Sequence, residues 1–178
     1  MYKPRVSWVL PAGKLEELRD RLRERGRARP SLLLHRTPPS VLEAREFVEE
    51  FGAICELMYL VMLAGRRIRN VEREVLRGAL EILSSDRIRT AHMDAMLDAS
   101  ARAVARNGAD ACFERTVATL REDPVKAEAS LVLAAVVASA DGTVTPEKAA
   151  WLRRLTQALG LEDARVAALI DSAIDSAR

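Results

Sequence analysis

Ala140-Asp141-Gly142-Thr143-Val144-Thr145-Pro146-Glu147 is the stretch whose reading decides the fold. It leaves an apolar run, Leu131 to Ala140, through an Asp-Gly turn and enters a new helix opened by Thr145 and Pro146. Threonine caps a helix by accepting a backbone N–H, and proline suits the first helical position, whose N–H has no intrahelical partner. The earlier segment Ala64-Gly65-Arg66-Arg67-Ile68-Arg69-Asn70-Val71-Glu72 repeats the arrangement in altered form. With Ala64 set on Ala140, Ile68 falls on Val144 and Leu76 on Leu152. Each copy follows a segment that is apolar nearly all round, Ile54 to Leu63 and Leu131 to Val137. A helix of that kind belongs in the middle of a bundle. The duplication therefore predicts an all-α domain of two pseudo-repeated helical hairpins, with their apolar helices packed about a pseudo-twofold axis.

Working outward, helical periodicity accounts for the rest of the chain and no strand-like alternation competes with it. Leu15, Leu18 and Leu22 form a stripe in a helix over 14–25, which Gly26 and Pro30 end. Ser40, with Glu43 three residues on, opens a helix in which Gly52 is a point of bending or breaking. Helices follow over 71–83, from a Thr90 cap to Gly108, around Cys112 to Leu120, from Asp123-Pro124, from Thr145-Pro146 to Gly160, and from 163 to 177. The total is about seven or eight. Arg36-Thr37-Pro38-Pro39 is the clearest linker. It separates a basic N-terminal extension, residues 1–39, from a helical domain, residues 40–178.

A chain of 178 residues can bury roughly 70% of its unfolded surface, so its core needs no disulfide. Aromatic residues are only 4%, which leaves that core to Leu, Ala, Val and Ile and again favours helices. Cys55 and Cys112 lie in apolar helical pattern without CxxC spacing and read as reduced core residues. The chain lacks a signal-peptide pattern, and its apolar runs fall short of the ~20 residues needed to span a bilayer. A cytoplasmic location is the expectation.

The net charge of +2 is too small to imply a polyanion partner, but its distribution is uneven. Residues 1–45 hold eleven Lys or Arg against five Asp or Glu, so a basic arm precedes a mildly acidic body. Arg19, Arg23 and Arg27 are its candidate partner-binding residues, toward nucleic acid or an anionic membrane surface. The interspersed Glu16, Glu17, Asp20 and Glu24 weaken such a patch. They fit better a solvated helix face that docks its leucines on the body or on a partner.

The Asp-Gly turn invites comparison with a calcium-binding EF-hand, and the spacing rejects it. With Gly142 at the invariant glycine, Val137 takes the first ligand position and Lys148 the place of the bidentate glutamate. No catalytic constellation emerges either. His35 and His92 stand alone, and the glycines are single turn and cap residues with no phosphate-cradling loop.

Ala140-Asp141-Gly142-Thr143-Val144 with Glu147 resembles the duplicated Ala-Asp-Gly-x-Val/Ile motif of the TerB family, associated with tellurite resistance, and of the related N-terminal domain of some DnaJ-like co-chaperones. In the first copy Gly65 and Arg66 replace Asp-Gly, while Ile68 and Glu72 remain. The resemblance covers roughly residues 45–160. It implies a cytoplasmic, non-enzymatic interaction module of stress response or resistance that works through protein partners, and it raises a divalent cation such as calcium as a candidate ligand. A metal site across the two repeats would draw on Asp141, Glu147 and Glu72. Gly65 removes an oxygen ligand from that set, and Arg66 and Arg67 repel a cation. The plainer alternative is that Asp141 and Gly142 only shape the turn, with Glu147 favouring a helix N-terminus through the dipole.

Overall fold

The computed structural model describes residues 12–27, 41–162, 164–166 and 168. Seven helices run through them: α1 (Ala12–Arg27), α2 (Val41–Ala64), α3 (Asn70–Leu83), α4 (Thr90–Asn107), α5 (Ala109–Arg121), α6 (Pro124–Ala138) and α7 (Pro146–Leu159). Residues 164–166 begin a further helical stretch, and there is no strand among the described residues. The all-α expectation therefore stands. The expectations for the Arg36–Pro39 linker, the Ser40 cap, His35 and positions 169–177 of the last helix fall outside the described residues.

Local chemistry sets most helix ends. Asp123 Oδ1 accepts from the N–H groups of Val125 and Lys126 at 3.1 and 3.2 Å, with Pro124 next in the chain. Thr145 Oγ1 accepts from Lys148 N at 3.3 Å ahead of Pro146. Gly160 closes α7 in the left-handed region, and Gly108 joins α4 to α5 at φ 83°. Thr90 is the first residue of α4 rather than its cap, because Arg89 takes the cap position. There His92 Nδ1 reaches back to accept the Arg89 N–H at 3.2 Å. At the start of α3, Glu72 Oε2 does the same for the Arg69 N–H at 2.7 Å. Both are the returning half of a capping box.

Helices α2 and α6 form the centre. Every residue of α6 from Ser130 to Ala138 is buried, as expected of a helix without a polar face. Helix α2 packs on α4, α5, α6 and α7, while α3 packs on α6. The second helix of each repeat thus touches the first helix of the other.

Helix α1 packs on α3 and α6 and buries Leu15, Leu18 and Leu22. Its crossing with α3 is unusually close. A Cβ built on Gly26 would lie 2.0 Å from the Glu74 carbonyl oxygen, and one on Gly78 would lie 1.9 Å from that of Leu22. Gly26, the last residue but one of α1, is therefore a contact residue at the end of the helix. Gly52 also lies within an unbroken 24-residue helix. Glycine costs a helix interior about 1 kcal/mol, which the packing of α2 on four neighbours outweighs.

Cys55 and Cys112 are buried free thiols, and burial pushes Cys55 up to about 12. No helix among the described residues is long and apolar enough to cross a membrane.

Candidate functional site

The two motif copies meet through Glu72 and Lys148, each in the first turn of its helix. Lys148 Nζ donates to Glu72 Oε1 at 2.7 Å and to the Ala138 carbonyl, at the end of α6, at 3.2 Å. The side chains are 3% and 0% exposed, so both charges are fully taken up inside the protein. Room for the lysine comes from Gly65, since a Cβ there would lie 2.7 Å from Lys148 Cε.

The other two carboxylates of the expected metal set also face cations of the chain. Asp141 Oδ2 accepts from Arg69 at 2.5 Å, and its Oδ1 accepts from the Thr143 N–H at 3.2 Å. Burial alone would raise the Asp141 carboxyl, but the Thr143 N–H, Lys148 and Arg69 outweigh it and hold it below its ordinary value. Glu147 is exposed at the start of α7, 3.9 Å from Arg66. Its carboxyl is lowered, chiefly by its own backbone N–H and by the Thr145 hydroxyl. Among the described residues no group of three or more His, Cys, Asp or Glu side chains is placed to hold a metal ion.

The arm arginines are divided between two surroundings. Arg23 and Arg27 both donate to Glu74 Oε2, at 3.1 and 2.9 Å, which spends part of their charge on fastening α1 to α3. Arg19 bonds Asp20 at 2.8 Å and reaches the Ser139 carbonyl at 3.4 Å. Arg19 and Arg23, one turn apart, join Arg69 and Asp141 in lining a cavity of about 420 Å³. One candidate metal ligand and two candidate partner-binding residues thus share a single site.

A second concavity, of about 440 Å³, runs between α2, α4 and α5. One wall is α2, with Val48, Gly52 and Glu56 at successive turns, and the other is α4, with Ala95, Ala99 and Ala103 likewise spaced. Met96 and Thr116 also line it. At one end Phe47 stacks on His92, with ring centroids 4.6 Å apart. At the other, Glu56 accepts from Thr116 Oγ1 at 2.7 Å and is paired with Arg115. Val48, on the lip, is 55% exposed. Sequence reasoning missed this groove. Its only signal was alanine at every fourth position of α4, which a surface helix also carries.

Comparison of the chain with protein-family models, with characterised proteins and with solved structures gave no match.

Proposed function

We propose that the chain is a non-enzymatic helical interaction module of the TerB-like kind, serving a stress-response or resistance system. In this reading it holds an amphipathic helix of a protein partner in the α2–α4 groove. The observation that carries the reading is the pairing of small side chains on facing walls. Gly52 and Ala53 stand on one side and Ala95, Ala99 and Ala103 on the other. Small residues at helical spacing let a third helix approach closely enough to bury an apolar ridge, which is how amphipathic helices dock into grooves. The half-buried Glu56–Thr116 contact gives one end of a largely apolar trough a fixed polar group, and a polar group so placed sets register. In the same reading Lys148 supplies in covalent form the positive charge that a divalent cation would bring between the repeats.

A benzophenone side chain introduced at Val48 tests the reading in cells of the native host. A single cross-linked protein, joined through a helix-forming segment that binds the purified module as a peptide, supports it. Cross-links that persist unchanged when Ala99→Trp fills the groove overturn it.

A further inference from the structure

The cavity lined by Arg19, Arg23 and Arg69 is separate from the α2–α4 groove and stands on its own observations. Three elements contribute to it: α1, the N-terminus of α3, and the α6–α7 turn at Ala140, Asp141 and Gly142. Each guanidinium is held on one edge by a carboxylate: Arg19 by Asp20, Arg23 by Glu74 and Arg69 by Asp141. These bonds leave Nη2 of Arg19, both Nη atoms of Arg23 and Nη2 of Arg69 without an acceptor among the described residues. Arg19 is recessed, with 15% of its side chain exposed. Where Gly142 lies, a Cβ would stand 4.0 Å from Arg19 Nη1, so the turn leaves the guanidinium open.

Two backbone donors add to this set. Helix α3 has arginine at its cap, and arginine has no acceptor to offer the first turn. Asn70 and Val71, which line the cavity, therefore present N–H groups with no acceptor among the described residues. The one negative side chain in the wall, Asp141, already has its two oxygens engaged by Arg69 and Thr143. The lining thus carries three arginines against one carboxylate, with Asp20 and Glu74 paired to Arg19 and Arg23, and the unused donors are guanidinium and backbone N–H groups.

We propose that this cavity is a binding site for a tetrahedral oxyanion of the phosphate class. A planar carboxylate offers two oxygens and is satisfied by a single guanidinium fork. Donors from two elements, α1 and the start of α3, suit a group with three or four acceptor oxygens and two negative charges. A long polyanion would need an extended exposed stripe, whereas here Arg19 is recessed. The phosphate reaches the site either as a free ion or small phosphorylated molecule, or as the monoester headgroup of a lipid.

Titration of the full-length protein with inorganic phosphate, at ionic strength held constant with chloride, tests the proposal by calorimetry and thermal melting. Saturable binding and a raised melting temperature are expected. Arg69→Gln and Arg23→Gln should each weaken affinity about tenfold, the loss typical of one charge-assisted bond. Arg45→Gln, which breaks the exposed pair with Glu49 elsewhere on the surface, should leave affinity unchanged. If Arg69→Gln does not fold, Arg23→Lys serves in its place, keeping the charge and losing the fork. Vesicles of phosphatidylcholine with and without phosphatidic acid separate the two sources. Retention on the acidic vesicles that is lost in Arg23→Gln assigns the lipid headgroup, and phosphate binding without retention assigns the soluble ligand. Absence of phosphate binding in the wild type, or equal weakening by Arg23→Gln and Arg45→Gln, overturns the proposal.

Discussion

Glu72 and Lys148 occupy equivalent places in the two halves of the chain, 76 residues apart, and they are hydrogen-bonded to each other at 2.7 Å. The offset is the one that lays Ala64 on Ala140. A position of the repeat therefore meets its own counterpart, as it must when it lies close to an axis of pseudo-symmetry. In one copy it carries a carboxylate and in the other an ammonium.

Removing one partner of a buried pair strands the other charge at a cost of about 3–5 kcal/mol. Lys148→Met and Glu72→Leu should each lose that much in urea unfolding, and the double variant should lose clearly less than their sum. Strict additivity would show that the two groups do not interact. Because the cation is part of the chain, EDTA should leave the wild-type melting temperature within about 1 °C. A rise with calcium that Asp141→Asn abolishes would restore a metal site to the turn.

Alanine in place of glycine ordinarily stabilises a helix interior by up to about 1 kcal/mol. Gly26→Ala and Gly78→Ala should do the reverse, losing at least about 2 kcal/mol. Their new methyl groups would meet backbone carbonyls at 2.0 and 1.9 Å, and backbone cannot step aside as a side chain can. Gly52→Ala is the internal control. Its methyl meets only a Val48 methyl at 3.5 Å, so it should raise stability. A neutral result at Gly26 or Gly78 would mean that α1 and α3 do not cross at this distance.

Asp141 titrates in the folded protein below its ordinary value of 3.8. A carboxylate depressed in this way contributes stability that is complete above its unfolded value and is lost as pH falls through the folded one. Melting temperature should therefore drop as pH falls below about 4, and Asp141→Asn should flatten that acid limb. An unchanged acid limb in the variant would show that the Arg69 and Thr143 contacts do not favour the charged form.

Burial keeps the Cys55 thiol protonated, with a value pushed up to about 12, and Cys112 is as deeply enclosed. Iodoacetamide requires the thiolate and a path to the sulfur. Cys55 should therefore not react in the native state at pH ~8, nor should Cys112, whose side chain is fully enclosed, and both should react on unfolding. Rapid native labelling at either position would place that helix face in solvent.

The parts of this fold that could be read from sequence are those fixed within a few residues of themselves. Asp123-Pro124 and Thr145-Pro146 state a helix start in two letters, and Gly108 and Gly160 mark ends where a positive φ is needed. The unbroken apolar face of α6 announced its central position. What could not be read depends on the meeting of distant segments. Gly26 reads only as a helix end until α3 is set against it and the close contact appears, and Gly52 looks like a break until α2 is seen gripped by its neighbours. The Glu72–Lys148 pair is an intermediate case. The repeat offset already laid one residue on the other, but only an axis passing between them turns alignment into contact. Arg19 and Arg23 stand out in the sequence as arm residues and Asp141 as a candidate metal ligand, and their shared cavity follows from the docking of α1, which periodicity does not specify.

Gly108 serves as both the closing residue of α4 and the opening residue of α5, so no linker separates them. Its torsions, φ 83° and ψ 156°, lie in a region essentially confined to glycine. Two of the three helices around the groove thus meet at a one-residue joint with a fixed angle. The aperture of the groove is set at its corner rather than along its walls. A substitution at residue 108 would alter what the groove admits without touching any residue that lines it.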